Sequence, residues 1–546
     1  MSYRIFPWLS ISCCLWSVCV VAQDEPAVLI PNLNGIVIQG MDSSLKLINQ
    51  RVCCVGLLPD LNVIGLTQSL QPFLDQPLTE NSLAAMQRVI TDHYRLAYHP
   101  FAIVKIPEQD VTDHVLRLEV IESRIGTISV EGNRWVPSSR LLQYVKEKPG
   151  DLIDHKKLIQ EVSFINRHPF RRVDLVFAPG QEEHTTDVIF ATRDRRPWRF
   201  YSGVDNTGVD STGEGRWYAG LNWGNAFGLD HILCYQYTAA FNINLFQAHT
   251  IEYKAPLSWG HIFDLYGGYS EVHPHVHAGI KRNDGWSMQS SLRYTMPLRI
   301  YRYLEHAITV GGDFKRSNNT FEFTEDFPVF GNTVNLTQLV LTYNGNYERN
   351  SFRIDFDGSC YWSPGAWIAD QSDVAYSSLR PGAVNHWFYF KSALAYLQRL
   401  PHAFSLFFLA EGQVSTEPLL PSEQFGLGGY NTVRGYEQRE LNMDDAVLLS
   451  MEARSPGLPI AKWIKSSTKV VDALQFLGFV DYGWGVNIDT IPGTKKSDYL
   501  FGAGPGVRYT LDPYLTARLD WGIRLHKEVA FGDAWSMLHF SVTASY

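Results

Sequence analysis

The sequence predicts a membrane β-barrel protein, in which a transmembrane antiparallel barrel of about 16 strands follows two small α+β modules. Three observations support this fold class: the composition, a change of pattern near residue 197, and the alternation of apolar and polar residues beyond it. Of the 546 residues, 19% are charged and 13% are aromatic, as in membrane barrels whose outer faces meet lipid. The net charge of −9 comes without a basic block, so the sequence predicts no nucleic-acid partner.

The N-terminus, residues 1–22, is predicted to be a secretory signal peptide. Arg4 provides a positively charged start, an apolar stretch follows, and Val20-Val21-Ala22 suits cleavage by a signal peptidase. The apolar stretch is short for a membrane-spanning helix, which disfavours an anchor. Residues 23–35 are predicted to be a short N-terminal segment, in which two prolines disfavour a long helix.

Residues 36–122 are predicted to form the first α+β module. A short strand covers 36–39, and a helix capped by Thr79 follows. One face of that helix is apolar, with Leu83, Met86, Ile90 and Tyr94. Strands are predicted at 101–106 and 115–121, the latter with alternating apolar and charged residues.

Residues 123–196 repeat this order and are predicted to form the second module. A strand covers 126–133, Ser138 or Ser139 opens a helix, and Asp154 opens another. The residues of this last helix that are predicted to face inward are Leu158, Ile159, Val162 and Ile165. Strands at 173–177 and 186–191 complete the module.

The sheet edges of these modules offer a physical route to binding, because an open edge can accept an extended chain as an added strand. Leu116–Ile121 and Thr186–Ala191 are the candidate strands for such binding. The alternative is ordinary pairing within each module, since the alternation pattern leaves open which edge is exposed.

Residues 197–546 are predicted to form the barrel. In the last strand, Leu538, Phe540, Val542, Ala544 and Tyr546 alternate with polar residues, and Val447–Arg454 alternates in the same way. Several charges share the polar faces of these strands: Glu452, Arg454, Arg518, Asp520 and Arg524. A soluble sandwich would present them to solvent, whereas a membrane barrel would place them in its lumen. The signal peptide, the aromatic outer faces and the terminal aromatic residue favour the barrel.

Two short motifs in the last quarter of the chain are the candidate functional site. Val433-Arg434-Gly435-Tyr436 follows a glycine-rich stretch, and Asp481 lies within Phe479-Val480-Asp481-Tyr482-Gly483 on a predicted strand. An arginine and a carboxylate that meet inside a barrel would fasten a long loop to the wall. The alternative is two unrelated polar residues, because most such pairs contribute little.

Together these segments resemble the outer-membrane transporters of two-partner secretion, the TpsB family (ShlB/FhaC/HecB type), within the superfamily of POTRA-bearing barrels. Val433, Arg434, Gly435 and Tyr436 match the family motif at the tip of an inward-folded loop. Phe479, Asp481 and Gly483 match the strand motif whose aspartate faces that arginine in the family. Ile128–Asn133 resembles the opening strand of a POTRA domain, and Val204–Gly208 resembles the start of the first barrel strand. The closing strand carries Phe540, Val542 and Tyr546, with tyrosine where the family usually ends in phenylalanine.

The resemblance implies an outer-membrane translocator that is not an enzyme and needs no cofactor. Its POTRA domains would lie in the periplasm and capture an unfolded secreted partner, a TpsA-like exoprotein, which the barrel would export without nucleotide hydrolysis. Outer-membrane lipid and the barrel-assembly machinery are the other implied partners. The alternatives are a barrel-protein insertase of the same superfamily, a passive porin or adhesin, and an enzyme carried on a barrel. Insertases usually have more POTRA modules, and a porin would not need them.

Other motifs favour ordinary structural roles. The chain has no G-x-S-x-G or H-E-x-x-H motif, and its seven cysteines include no C-x-x-C pair. His273, His275 and His277 share one face if extended, but a solvated hairpin is favoured over a metal site because no thiol or carboxylate is near. Gly502–Gly506 lacks the ending of a phosphate loop and is interpreted as strand glycines at a bend. Asn442–Ala446 stands where the family often has Gly-Asp-x-Gly.

Overall fold

The structure is a computed structural model, and it describes residues 28–40, 46–48, 51–58, 60–273, 285–319, 330–461, 471–488, 495–526 and 534–546. The predicted signal peptide and most of the histidine cluster lie outside these residues. The chain divides into two compact units. The first comprises the residues up to Ile128 with Lys148–Lys156 and Phe177–Val188, and the second comprises Ser129–Glu147, Lys157–Val176 and Ile189–Tyr546.

The first module is a mixed sheet with two α-helices. Its strands are β1 (Val28–Ile30), β2 (Gly35–Gln39), β3 (Lys46–Ile48), β4 (Val52–Val55), β5 (Leu78–Thr79), β6 (Ala102–Lys105) and β7 (Val115–Glu122). Its helices are α1 (Val63–Leu70) and α2 (Glu80–Leu96). The main sheet has the order β3-β4-β2-β7-β6, and β1 pairs with β5.

The capped helix of the first module forms as predicted. Thr79 accepts a hydrogen bond from the Ser82 backbone N–H, and the Ser82 hydroxyl accepts one from the Thr79 N–H. Met86, Ile90 and Tyr94 are buried, as the helical period requires. The sequence analysis missed β3, β4 and α1, because this stretch is short and has no clear period.

The second module contains β8 (Arg124–Glu131), α3 (Ser138–Leu142), α4 (His155–Asn166), β9 (Arg171–Pro179) and β10 (Thr185–Asp194). Its sheet has the order β8-β10-β9. On α4, Leu158 and Ile165 are buried as predicted. The prediction for Ile159 is wrong, since its side chain is 40% exposed. The third buried position is Glu161 instead, because the buried face follows a spacing of three to four residues from Leu158.

Both candidate edge strands are interior strands, which corrects the sequence analysis. Leu116–Ile121 belongs to β7, which lies between β2 and β6, and Thr186–Ala191 belongs to β10, which lies between β8 and β9. In the part of the chain that the structure describes, the sheets end instead at β3, β6, β8 and β9. Alternation shows which side chains share a face, but it does not show which strand has a neighbour.

In the described residues, sixteen strands close into one antiparallel barrel, so the predicted fold class is confirmed. The first eight are β11 (Trp198–Asp205), β12 (Arg216–Ala226), β13 (His231–Ala240), β14 (Phe246–Pro256), β15 (Ile262–Val272), β16 (Gly285–Pro297), β17 (Leu304–Asn319) and β18 (Phe330–Glu348). The others are β19 (Phe352–Pro364), β20 (His386–Arg399), β21 (Ser405–Ser415), β24 (Asp445–Arg454), β25 (Val471–Val486), β26 (Ser497–Asp512), β27 (Leu515–Arg524) and β28 (Ser536–Ser545). Val204 and Asp205 end the first strand, so their likeness to its start is wrong.

The barrel faces follow the predicted alternation. On β24, Leu449 and Met451 are 38% and 52% exposed, whereas Ser450 and Glu452 are buried. The apolar residues therefore point outward, and the polar residues point into the lumen, as in a membrane barrel. Among the described residues, no helix is both long and apolar enough to cross a membrane.

Two irregular segments connect strands at one end of the barrel. Residues 365–385 between β19 and β20 contain the helix α5 (Asp373–Leu379), whose Tyr376 and Leu379 are buried. Residues 416–444 between β21 and β24 contain a small hairpin, β22 (Phe425–Leu427) with β23 (Leu441–Met443). This second segment holds the arginine motif and is called the lumen loop below.

Candidate functional site

The lumen loop folds back into the barrel and has the predicted arginine motif at its tip. Gly428 and Gly429 have φ angles of +101° and +105°, a backbone conformation that other residues rarely adopt. They turn the chain from β22 toward the tip, where Val433 and Tyr436 are fully buried. The local sequence thus provides the bend, and the apolar tip residues anchor it against the wall.

Arg434 and Asp481 form a two-point ion pair between the tip of the lumen loop and the barrel wall. The Arg434 Nε donates to the Asp481 Oδ2 at 2.7 Å, and its Nη2 donates to the Oδ1 at 2.8 Å. The Arg434 backbone N–H donates to the same carboxylate at 3.1 Å, and the Ser450 hydroxyl donates to it at 2.6 Å. Both charged side chains are almost completely buried. The parallel guanidinium–carboxylate contact defines position as well as charge.

The guanidinium of Arg434 also faces two further carboxylates and an aromatic ring. Its Nη1 lies 2.6 Å from the Glu452 Oε1 and 3.6 Å from the Asp520 Oδ2. Its Cζ lies 3.6 Å from the centre of the Phe479 ring, which is close enough for a cation–π contact. Phe479 of the predicted wall motif therefore supports the arginine directly.

Wall arginines neutralise two of these carboxylates independently of the loop. Asp520 accepts from Arg508 at 2.6 Å and from Arg518 at 2.7 Å. Glu452 accepts from Arg454 at 2.7 Å. Arg518 also reaches the loop, since its Nη2 donates to the Tyr430 carbonyl at 2.6 Å. Tyr430 and these wall charges extend the site beyond the two motifs.

Gly435 permits a close approach of the tip to the wall. Its φ is +101°, its N–H donates to the His539 Nε2 at 3.0 Å, and its carbonyl accepts from the Arg524 Nε at 2.6 Å. A β-carbon at Gly522 on the wall would lie 2.2 Å from the Gly435 nitrogen. Only a residue without a side chain fits on the wall at this point.

Two other wall glycines, Gly502 and Gly483, serve the same contact. The interpretation of Gly502–Gly506 as strand glycines at a bend stays a prediction. A β-carbon at Gly502 would lie 2.1 Å from the Arg434 carbonyl oxygen, and one at Gly483 would lie 2.9 Å from the Val433 side chain. Gly483 of the predicted wall motif therefore belongs to a strip of wall on which the loop tip rests.

At the outer end of the lumen loop, within Asn442–Ala446, Asp444 forms a buried ion pair with Arg380. It accepts from the Arg380 Nη1 at 2.5 Å and from the Nη2 at 2.7 Å. It also accepts from the backbone N–H groups of Leu419 and Ile488. Arg380 directly follows α5, so this pair joins the α5 segment to the base of the lumen loop.

The closing-strand residues lie at the seam where β28 meets β11. Val204 pairs with Val542 across this seam, and the Tyr546 N–H donates to the Phe200 carbonyl at 2.9 Å. Val542 and Tyr546 are exposed on the outer surface, and Phe540 is half-buried. The structure therefore places these three residues in barrel closure, away from the loop tip.

The charges around Arg434 were visible in the sequence as members of polar strand faces, but their convergence was not. Alternation puts Glu452 and Asp520 in the lumen, and it does not show that they lie at the depth of Arg434. Among the described residues, no cluster of histidine, cysteine or acidic side chains is arranged to hold a metal ion. His275 and His277 lie outside the described residues.

Comparisons with known proteins agree with this architecture. Residues 184–509 match the model of the haemolysin secretion/activation protein family ShlB/FhaC/HecB, and residues 63–123 match the ShlB-type POTRA domain. The outer membrane transporter CdiB of Escherichia coli is 22% identical over 450 residues, covering 80% of this chain and 72% of CdiB. The heme/hemopexin transporter protein HuxB of Haemophilus influenzae is 22% identical over 439 residues, covering 77% of this chain and 72% of HuxB.

Solved structures show the same fold. The structure of CdiB from Escherichia coli has a TM-score of 0.77 at 19% identity and covers 96% of this chain and 92% of its own. That of CdiB from Acinetobacter baumannii has a TM-score of 0.67 at 18% identity and covers 100% and 95%.

The barrel, the lumen loop and the α+β modules define the class of POTRA-bearing outer-membrane transporters. Because the family model spans more than half of the sequence, the chain belongs to the haemolysin secretion/activation family ShlB/FhaC/HecB. It lies in the outer membrane with its POTRA domains in the periplasm. It is a transporter rather than an enzyme, as the sequence analysis predicted.

Proposed function

We propose that this transporter captures an unfolded secreted partner protein in the periplasm and exports it through the barrel. The modules at 36–122 and 123–196 act as the capture domains, and the barrel at 197–546 is the conduit. CdiB and HuxB, which are named as transporters, are similar to most of the chain. The observation that carries the proposal is the Arg434 ion pair, which holds a loop inside the conduit by contacts that can be broken.

The lumen loop occupies space that an exported chain would need. Its tip contacts inward-facing residues of several neighbouring strands, including Asp481, Asp520 and His539. Passage of a polypeptide therefore requires the tip to move along or away from the wall. The wall carboxylates Glu452 and Asp520 keep their own arginines when the tip leaves, so this movement does not strand all three buried charges.

The edge strands β8 and β9 of the second module are the surfaces that we assign to capture. Each has β10 as its one strand neighbour. The start of β8 also bonds the backbone of residues 150–153 along its other edge, so the later part of β8 and the outer edge of β9 are where an extended client can be added. On β9 the side chain of Asn166 already binds the N–H and carbonyl of Val173. The later half of β9, where Val176 is 45% exposed, is therefore the more open part of that strand.

Export by this route needs no nucleotide, because folding of the client outside the cell can make its passage irreversible. The other proposed partners follow from the barrel surface. Its exposed aromatic and aliphatic residues match outer-membrane lipid, and its own insertion would require the barrel-assembly machinery.

Replacement of Arg434 by alanine tests the proposal. We expect Arg434→Ala to reduce export of the client about tenfold or more, because the ion pair sets the resting position of the loop in the conduit and its loss leaves Asp481 buried without a cation in that resting state. Secretion is measured as client in the medium, and insertion as heat-modifiable barrel in outer-membrane fractions. Lys254→Ala is the matched control, since Lys254 is also a cation of the barrel wall but pairs with the wall residues Glu252 and Asp264. Normal export by Arg434→Ala would refute the role of the pair.

A reversible crosslink tests whether the tip must move. A β-carbon at Gly483 would nearly touch the Val433 side chain, so Val433→Cys with Gly483→Cys can form a disulfide. We expect the oxidised double variant to block export and its reduction to restore it. Unchanged export in the oxidised form would show that the loop need not leave this part of the wall.

The insertase alternative has its own readout. Deletion of the gene should remove one secreted protein from the medium and leave the amounts of other outer-membrane barrels unchanged. A general loss of barrel proteins would favour an insertase instead.

A further inference from the structure

The junction between the second module and the barrel contains a buried ion pair that neither sequence motif includes. Asp230 lies in the turn between β12 and β13, at the barrel end where the chain arrives from the second module. Its carboxylate Oδ1 accepts from the Arg171 Nη1 at the start of β9, and its Oδ2 accepts from the Tyr144 hydroxyl at 3.1 Å. Asp230 is fully buried, and the Arg171 side chain is 2% exposed.

The neighbouring backbone makes this junction a close fit. The His168 Nε2–H donates to the Gly224 carbonyl at 2.6 Å, while the His168 Nδ1 accepts from the Phe170 N–H. A β-carbon at Gly224 would lie 2.2 Å from the Phe170 ring. The module therefore approaches β12 at a position where only glycine leaves room.

The turn itself is shaped to present the carboxylate. Asp230 has a φ of +64°, which is uncommon for a residue with a side chain. Its N–H donates to the Asn225 side chain at 2.9 Å, and the Asn225 amide donates to the Trp135 carbonyl of the module at 3.3 Å. This turn binds the module through its side chains, and together with its partners it is called the turn socket.

We infer that Asp230 is a positioning residue for export, which holds the second module in one orientation at the barrel mouth. The inference rests on the proposed function, since orientation matters only if the module delivers a client. A capture edge must point its bound chain toward the lumen, and a buried ion pair with a fixed geometry restricts rotation more than an exposed pair does. The socket therefore fixes the orientation in which the second module delivers the captured chain to the barrel.

Pulsed-EPR distance measurements on the full-length protein in liposomes test this inference. Spin labels are placed at Ile159→Cys on α4 and at Asn350→Cys in a barrel turn, both exposed, in a variant whose native cysteines are serine. We expect a single narrow distance distribution for the parent protein. Asp230→Asn and Arg171→Gln should each broaden it and lower export about tenfold, because each leaves one buried charge unpaired.

The matched control is Arg193→Gln, because Arg193 pairs with Asp174 at 2.7 Å in the same module but is 80% exposed. It should leave both the distances and export unchanged. Barrel folding is followed by heat-modifiability, and module folding by label mobility on α4. Tyr144→Phe, which removes one hydroxyl, serves if the charge variants do not assemble, and it should broaden the distribution less.

The outcomes separate the inference from the proposed function. A narrow distribution in Asp230→Asn, in Arg171→Gln or in the fallback Tyr144→Phe would overturn the socket. Broadened distances with full export would overturn its role in positioning. If the parent protein exports no client, the proposed function fails, whereas the distance comparison still decides whether Asp230 fixes the module.

Discussion

The lumen-loop tip and the turn socket both bury an arginine against an aspartate, but the surroundings of the two pairs differ. Arg434 faces three carboxylates, and two of these have wall arginines of their own. Asp230 binds Arg171, with a tyrosine hydroxyl and a histidine beside it. When the loop leaves, two of the three wall carboxylates still have an arginine partner. When the socket separates, Asp230 and Arg171 each lose their counter-ion.

These surroundings determine which of the two ion pairs can act as a switch. Separating a buried ion pair is costly when the remaining charge has no other partner. At the tip site this cost is lower, because Glu452 and Asp520 keep their wall arginines when Arg434 leaves. At the socket, Asp230 loses the arginine that neutralises it. We therefore expect the loop tip to move during export and the socket to stay closed.

The largest effect that would test this comparison is expected at Asp481, the carboxylate of the tip site that depends most on Arg434. Asp481→Asn should weaken binding of the loop tip by about 3–5 kcal/mol and reduce export about tenfold or more. Loop release is measured as labelling of Val433→Cys, a position that is fully buried while the tip rests on the wall, by a membrane-impermeant maleimide. Glu452→Gln should have a smaller effect, because Arg434 keeps its contacts with Asp481. Equal labelling in the two variants would contradict the inference that Asp481 depends on Arg434 more than Glu452 does.

A smaller effect is expected from crowding the wall beneath the tip. Gly522→Ala places a methyl group 2.2 Å from the Gly435 nitrogen, which should cost about 1–3 kcal/mol of tip binding. Gly478→Ala is the control, because a β-carbon there meets nothing within 4 Å. Labelling of the tip should rise in the first variant alone. A rise in neither would mean that the tip is held less closely than the structure shows.

The stability of the second module should depend on pH through Glu161 and His168, whose pKa values are shifted in opposite directions. Burial raises the pKa of Glu161 to about 9, with a contribution from its hydrogen bond to Glu147. Its stabilising effect is complete below the ordinary glutamate pKa and is lost as the pH rises toward 9. Burial, together with the Arg171 cation, lowers the pKa of His168 to about 4. Its effect is complete above the ordinary histidine pKa and is lost as the pH falls toward 4.

The contribution of Glu161 can be measured by hydrogen exchange of α4 in the full-length protein, after correction for the intrinsic effect of pH on the exchange rate. Between pH 6.5 and 9, the free energy of local unfolding should fall in the parent protein and stay nearly constant in Glu161→Gln. A parallel fall in both proteins would assign the pH dependence to another group. The loop-tip labelling should not follow this change.

The smallest effect is expected for an exposed ion pair of the same chemistry. Arg51 and Asp75 form a bidentate contact in the first module, with side chains 45% and 65% exposed. Solvent screens such pairs, so Arg51→Ala should change export less than about twofold. A large loss would show that this surface contacts the client or another partner.

Much of the architecture could be predicted from the sequence because periodicity is a local property. Alternation on β24 assigns Leu449 and Met451 to one face and Ser450 and Glu452 to the other without knowledge of any neighbour. Helical periodicity likewise predicted the capped helix after Thr79, whereas the number of barrel strands followed from the length of the segment and the usual length of a strand with its connection. Periodicity failed for Ile159, which was predicted to lie on the buried face of α4 and is exposed, and for the short elements between β2 and β5.

Local patterns were enough to predict the barrel, the order of its modules and the two motifs that resemble a transporter family. Only the folded chain shows which strands are edges, at which depth the lumenal charges meet, and which turn contacts the second module. Gly435 and His539 are 104 residues apart, and Arg171 and Asp230 are 59 apart. Contacts of this kind depend on closure of the whole barrel and on packing of the module against it, and no local pattern encodes the depth at which two distant side chains meet.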